Sequence, residues 1–246
     1  MKYLKVTFLF FFIFNLLQFI SCDNKQRIET SKKPSLDSVS IYMQKMKDAS
    51  FGDAICIKYA NKALKIEKKI NPNSKNIEEI LSYKIYLLGN LKQPDSAIII
   101  GKELLQLSIK KNDFAAIGNN YSRLAYYYSL NYQKDSAFIT YKLSKEIHIK
   151  LDDRAKIGEN LAQMAIIQSD LGDFIGSDNN AIRALKYLDK KNLIYITAVY
   201  NCIAISAKKQ KDFKEAIYWY DKAIEISTRD NEKAIINSNR LLLIDI

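Results

Sequence analysis

The segment Lys211 to Ile226, KDFKEAIYWYDKAIEI, has near-copies upstream at almost fixed spacing, and this repetition constrains the fold more than any other feature of the chain. Within it, Ala216, Tyr220 and Ala223 stand at i, i+4 and i+7, the spacing of one helix face. Two of the three are small enough to let another helix come close. The same trio recurs as Ala137, Tyr141 and Ser144, as Ser177, Ala181 and Ala184, as Ala97, Gly101 and Leu104, and as Cys56, Ala60 and Ala63. Successive first members are 41, 40, 40 and 39 residues apart. A unit of that size can bury its apolar face only against its neighbours, so the period implies a stack of repeats, a solenoid. Seven Gly and three Pro in 246 residues leave little turn chemistry for strands, in keeping with long helices.

Taken in order, the chain reads as helix pairs. A first helix is expected over Leu36 to Ala49, a turn at Phe51-Gly52-Asp53, and a second helix to Ile70, stopped by Asn71-Pro72-Asn73. The second pair starts near Asn76, turns at Gly89-Asn90, and reopens at Gln93-Pro94-Asp95 with Pro in the first turn, where its missing N–H costs nothing. Later turns are expected at Asn112-Asp113, Asn131-Tyr132, Leu171-Gly172-Asp173 and Lys211-Asp212-Phe213. The repeats then span about 36–74, 75–112, 113–152, 153–191 and 192–230, with a partial unit at 231–246. That last piece, with Ile235, Ile236 and Leu241 to Leu243, starts a helix without a partner. It is either a lone capping helix or the start of a repeat in a longer protein, and the apolar ending LLLIDI is unlike the polar outer face of a cap.

The first residues bear on the compartment. Lys2 and Lys5 precede an apolar run from Val6 to Ile20 that is shorter than the ~20 residues a spanning helix needs, so residues 1–22 read as a secretion signal. Phe19-Ile20-Ser21-Cys22 resembles the bacterial lipobox, in which the Cys receives a lipid before the signal is removed; Phe19 departs from the usual Leu. An ordinary signal cleaved near Ser21, leaving Cys22 as a thiol, is the alternative. Residues 23–35 are polar and without apolar period, and read as a tether. Lipidation of Cys22 also accounts for the odd count of three cysteines. Cys56 and Cys202 fall seven helix steps apart, too far for a disulfide, and are expected as small buried residues.

Tyr200-x2-Ile203-Ala204-x2-Ala207 followed by Ala216-x3-Tyr220-x2-Ala223 resembles the tetratricopeptide repeat, as does Tyr121-x2-Leu124-Ala125-x2-Tyr128 followed by Ala137-x3-Tyr141. The other repeats match by spacing more than identity, with Lys84 and Gln44 at positions that are apolar or small in the family. The family period is usually 34, and longer helices would explain the excess here. Other helical-pair solenoids of similar period and a stack of unrelated helices are the alternatives. The resemblance implies an all-α, right-handed α-solenoid of about five helix-turn-helix repeats whose first (A) helices line a concave groove that holds a partner segment. Carried over by register, the groove residues are Tyr83, Tyr86, Asn119, Arg123, Tyr126, Gln163 and Asn201, with Tyr42, Lys45, Ser122, Lys208 and Lys209 beside them. The Lys and Asn arrangement by which some members clamp a C-terminal carboxylate is not reproduced.

The sequence has no Gly-rich phosphate loop, no Cys or His pair at metal spacing and no nucleophile motif. Its one histidine, His148, ends a helix where the dipole favours a cation, and is expected at the surface. Asp152-Asp153 read as caps of the next helix. The formal charge of +11 is spread among acidic and polar residues, which suits a solvated helical surface better than a nucleic-acid or membrane-surface stripe. The expectation is a non-enzyme without cofactor, small-molecule substrate or nucleic acid. It is read as a lipid-anchored scaffold that binds a protein or peptide segment on the outward side of a bacterial membrane. The alternative is the extracytoplasmic sensor portion of a larger signal-transduction or transcription regulator.

Overall fold

The computed structural model describes residues 36–229. Among them are helices α1 (Leu36–Met46), α2 (Asp53–Ile70), α3 (Lys75–Asn90), α4 (Pro94–Lys110), α5 (Phe114–Leu130), α6 (Lys134–Lys150), α7 (Arg154–Leu171), α8 (Phe174–Leu185), α9 (Leu193–Lys209) and α10 (Phe213–Arg229), with a short 3-10 turn at Ala49–Phe51. The described residues contain no strand. The expected signal, tether, Cys22 and partial last unit lie outside them.

From α3 to α7 the chain advances by a fixed unit, a helix of about 17 residues and a tight link. Each link carries one left-handed residue: Lys92 (φ 54°), Asn112 (54°), Tyr132 (58°), Asp152 (52°) and Gly172 (81°), with Lys211 (65°) between α9 and α10. The next N–H then reaches back five residues, as Gln93 to Leu88 O, Asp113 to Ser108 O, Gln133 to Tyr128 O, Asp153 to His148 O, Asp173 to Gln168 O and Asp212 to Ala207 O, all between 2.9 and 3.1 Å. This bond pattern closes the C-terminus of one helix. In four links the same residue opens the next helix, since the carboxylates of Asp113, Asp153, Asp173 and Asp212 accept from the backbone N–H three residues on, at 2.9–3.1 Å. One three-residue link thus caps two helices, which is how 17-residue helices give a period of 40. The turn expected at Gly89-Asn90 falls inside α3, and the reversal is made by Lys92. The first helix stops at Met46 instead of Ala49.

Every member of the five trios is buried, Ala216, Tyr220, Ala223, Ala137, Ser144, Ser177, Ala181, Ala184, Ala97, Ala60 and Ala63 completely so. The row extends one step further, to Glu67, Ser108, His148 and Ser227, each at most 3% exposed. His148 is therefore not at the surface as its place in the last turn suggested. Four residues beyond Ser144, it continues the packed face, and Gly118 of α5 makes room for its ring.

Each helix packs on the next, and the apolar clusters follow one another along the stack, α1 to α5, then α5 to α7, α7 to α9, and α9 with α10. This is the nearest-neighbour stabilisation of a solenoid. One pair two helices apart also meets closely, α7 with α9. The cause is α8, which has 12 residues where α4 and α6 have 17. Beyond its end, Tyr187 and Leu188 lie on the backbone of Gly158 in α7, where an added Cβ would be 3.0 Å from Leu188 N. Arg154 holds that segment by donating to Lys186 O (3.0 Å) and by stacking 5.0 Å over the Tyr187 ring. The N-terminal half of α9 then closes on α7.

Candidate functional site

The closure of α9 on α7 forms one wall of a cavity of about 250 Å³ between the A helices. Ser122, Arg123 and Tyr126 of α5, Glu159, Asn160 and Gln163 of α7, Tyr195 of α9 and Tyr141 of α6 line it. Its polar floor is built before any ligand is considered. Ser122 Oγ meets Ser144 Oγ at 2.7 Å and donates to Asn160 Oδ1 at 2.8 Å, while Asn160 Nδ2 donates to Ser144 Oγ (3.1 Å) and Lys156 O (2.8 Å). Asn160 is 1% exposed, and its amide is fully used within the fold. The floor is fixed by packing.

The walls differ from the floor. Arg123 Nη1 donates to Ser82 Oγ of α3 (3.1 Å) and to Asn120 Oδ1 (3.4 Å), and among the described residues no carboxylate lies within ion-pair distance of it. Burial works against its charge and pulls its pKa below the ordinary value. A half-buried guanidinium without a counter-charge favours any acceptor that enters the cavity. Glu159 is already paired, with Lys156 Nζ at 2.7 Å. Tyr126 is 46% exposed with its ring edge-on to Tyr127 at 5.2 Å, and Tyr195 faces it from α9. Burial pushes the Tyr141 phenol far above its usual pKa, so it stays a neutral donor.

Of the residues expected to form the groove, Arg123, Tyr126 and Gln163 come together here, with Ser122. Tyr83 and Tyr86 sit one repeat earlier on α3 with rings 5.7 Å apart; Tyr86 is exposed, whereas Tyr83 is half-buried against the core. Asn119 is exposed on α5 and Asn201 is half-buried on α9, and neither lines the cavity. Tyr195, Glu159, Asn160 and Tyr141 were not anticipated. The one available signal was the shortened step of 39 residues between Ser177 and Ala216, which spans the short α8 and the longer link that follows it.

The cavity offers hydrogen-bond donors and aromatic rings to whatever enters it. Among the described residues no group of three His, Cys, Asp or Glu could hold a metal ion, and no helix is long and apolar enough to cross a membrane. Cys56 and Cys202 are buried free thiols, and burial raises both pKa values, that of Cys202 to about 11. Neither is a thiolate at neutral pH.

No family model and no curated protein matches the sequence. Solved structures do match. The chain is similar to the signal-transduction ATPase with numerous domains and a tetratricopeptide repeat sensor from Pyrococcus horikoshii, with a TM-score of 0.69 and 16% identity over 84% of this chain and 32% of that one. Aspartyl phosphate phosphatase F of Bacillus subtilis matches at a TM-score of 0.62 and 10% identity, covering 85% and 59% of the two chains. A putative kinesin light chain with repeats like the tetratricopeptide repeat, from Podospora anserina, matches at 0.60 and 11%, covering 79% and 95%. The fold is that of a tetratricopeptide-repeat solenoid. At these identities the likeness concerns the fold alone.

Proposed function

We propose that this protein is a non-catalytic scaffold that binds another protein, taking an extended segment of it across the cavity between α5, α7 and α9. The observation that carries the reading is the contrast within that cavity. A floor satisfied by Ser122, Ser144 and Asn160 lies beneath walls that still offer the Arg123 guanidinium, the Gln163 amide and the Tyr126 and Tyr195 rings. Aromatic and arginine side chains in a partly desolvated concavity are where binding energy concentrates. Carbonyl oxygens of an extended segment would meet the donors, and its side chains would meet the rings.

In this reading the scaffold is held by a lipid on Cys22 at the extracytoplasmic face of a bacterial membrane. Fatty-acid labelling tests that part: Cys22→Ser should abolish label and membrane recovery of the mature chain, and wild-type recovery of the mutant would refute it. Partner binding is tested separately. Tyr126→Ala should weaken affinity for the partner by ten-fold or more, as expected for an anchor worth about 2 kcal/mol, with an unchanged melting temperature, and Lys209→Ala should do little.

A second reading is suggested by the Pyrococcus protein, whose repeats serve as a sensor within a longer chain. This protein would then be the extracytoplasmic sensor portion of a larger regulator. Reading the gene past Ile246 decides it: an in-frame membrane helix and output domain would favour the sensor, and a stop codon the scaffold.

A further inference from the structure

The outward face of α2 carries Lys58, Lys62, Lys65 and Lys69, spaced i, i+4, i+7 and i+11, so that all four project from one side of the helix, opposite the packed residues Cys56, Ala60, Ala63 and Leu64. All four are exposed, and among the described residues none pairs with a carboxylate. Lys62 lies 5.6 Å from the Tyr42 ring and 5.9 Å from Tyr59, contacts that leave its charge uncompensated. The two acids of α2 are off this face, Asp53 in the first turn and Glu67 at 1% exposure. Other outward faces are mixed. α6 interleaves exposed Asp135 and Glu146 with its lysines, and α10 exposes Glu215, Asp221 and Glu225. Ile55, 44% exposed, borders the α2 stripe.

We infer that this stripe docks the first repeat on an anionic phospholipid surface, which leaves the cavity between the A helices open to a partner. Two observations favour lipid over other anions. The stripe is long and one-signed, with a rise of about 16 Å from Lys58 to Lys69, and bordered by an exposed isoleucine, which suits a planar field of headgroups. It also belongs to the repeat next to Cys22: the 14 residues from there to Leu36 span at most about 50 Å even fully extended. The second point rests on the proposed lipid anchor, the first does not.

The test therefore uses the chain from residue 23 onward, which keeps the whole described solenoid and lacks the anchor. It should co-sediment with vesicles containing phosphatidylglycerol, fail to do so with phosphatidylcholine alone, and be released by high salt. Each lysine near such a surface is worth roughly five-fold in partitioning, so K58Q/K62Q/K65Q/K69Q should lower binding by roughly several hundred-fold, and either pair alone by about 25-fold. K142Q/K150Q on α6, changed in the same way, should bind as the parent does. Circular dichroism checks that each variant is folded. Failure of the parent to bind anionic vesicles, binding that survives high salt, or equal losses in the α2 and α6 variants would overturn the inference while leaving the Cys22 anchor to its own labelling test.

Discussion

The imidazole of His148 occupies the space that a side chain at Gly118 would take: a Cβ built on that glycine would lie 2.7 Å from Nε2. The ring is 1% exposed, neither nitrogen has a hydrogen-bond partner within the described residues, and Nδ1 is 3.5 Å from Asp153 Oδ2.

This contact predicts a pH response. Burial lowers the pKa of His148 from the ordinary 6.5, with Asp153 and Glu159 opposing the shift and Lys156 of α7 adding to it. The unfolded chain accordingly takes up its proton near 6.5 and the folded chain only at lower pH. Between the two values the unfolded state binds more protons, so the contribution of His148 is full above 6.5 and is lost as pH falls below it. Urea midpoints measured from pH 8 to pH 5 should fall more steeply for the parent than for His148→Gln. Parallel curves would contradict a buried neutral imidazole.

A second prediction concerns the short α8. Ala at a helix interior is favoured over Gly by about 1 kcal/mol, so Gly158→Ala should stabilise α7 if nothing stood in the way. The segment Tyr187–Leu188 does stand in the way, with backbone atoms 3.0 and 3.1 Å from the new Cβ. We expect a net loss of about 1–2 kcal/mol in chemical denaturation, from overpacking against backbone. A gain in stability would show that this segment is free to move and does not hold α9 against α7.

Tyr132 offers the opposite case. It is 88% exposed and sits at φ 58° in the link between α5 and α6, where a side chain costs energy and contributes no packing. Tyr132→Gly should raise stability by roughly 0.5–1 kcal/mol, read from the urea midpoint at constant m. A loss would mean that the tyrosine ring supports the link.

These cases also separate what the sequence could show from what it could not. The trios reveal themselves because close helix approach demands small residues every third or fourth position, and all five proved to be buried. The links were legible to within a residue or two, but not their geometry, because Lys92, Asn112, Tyr132, Asp152 and Lys211 take the left-handed conformation without the glycine that usually marks it. His148 was misplaced by weighing its helix-end position over its register with Tyr141 and Ser144, when packing outweighs the exposed-end dipole effect of under about 1 kcal/mol. Tyr195 left only the 39-residue step as a trace, because its inward position depends on where α8 stops.

Register alone also overstated how separable binding and stability are. Arg123, placed in the groove by register, also joins α5 to α3 through Ser82. Arg123→Ala should therefore cost about 1 kcal/mol of stability as well as affinity, seen as a lowered urea midpoint in the free protein. An unchanged midpoint would mean that the Ser82 contact contributes nothing in solution.

The central claim, that the cavity between the A helices receives a partner segment, is tested most directly by site-specific photo-crosslinking in intact cells. A photoreactive residue is placed at Gln163, in the cavity wall, or at Ile139, 58% exposed on α6. A discrete cross-linked product is expected from position 163 that is lost with Tyr126→Ala, and none from position 139. A product from position 139 with position 163 silent would place the partner on the outer helices and contradict the account.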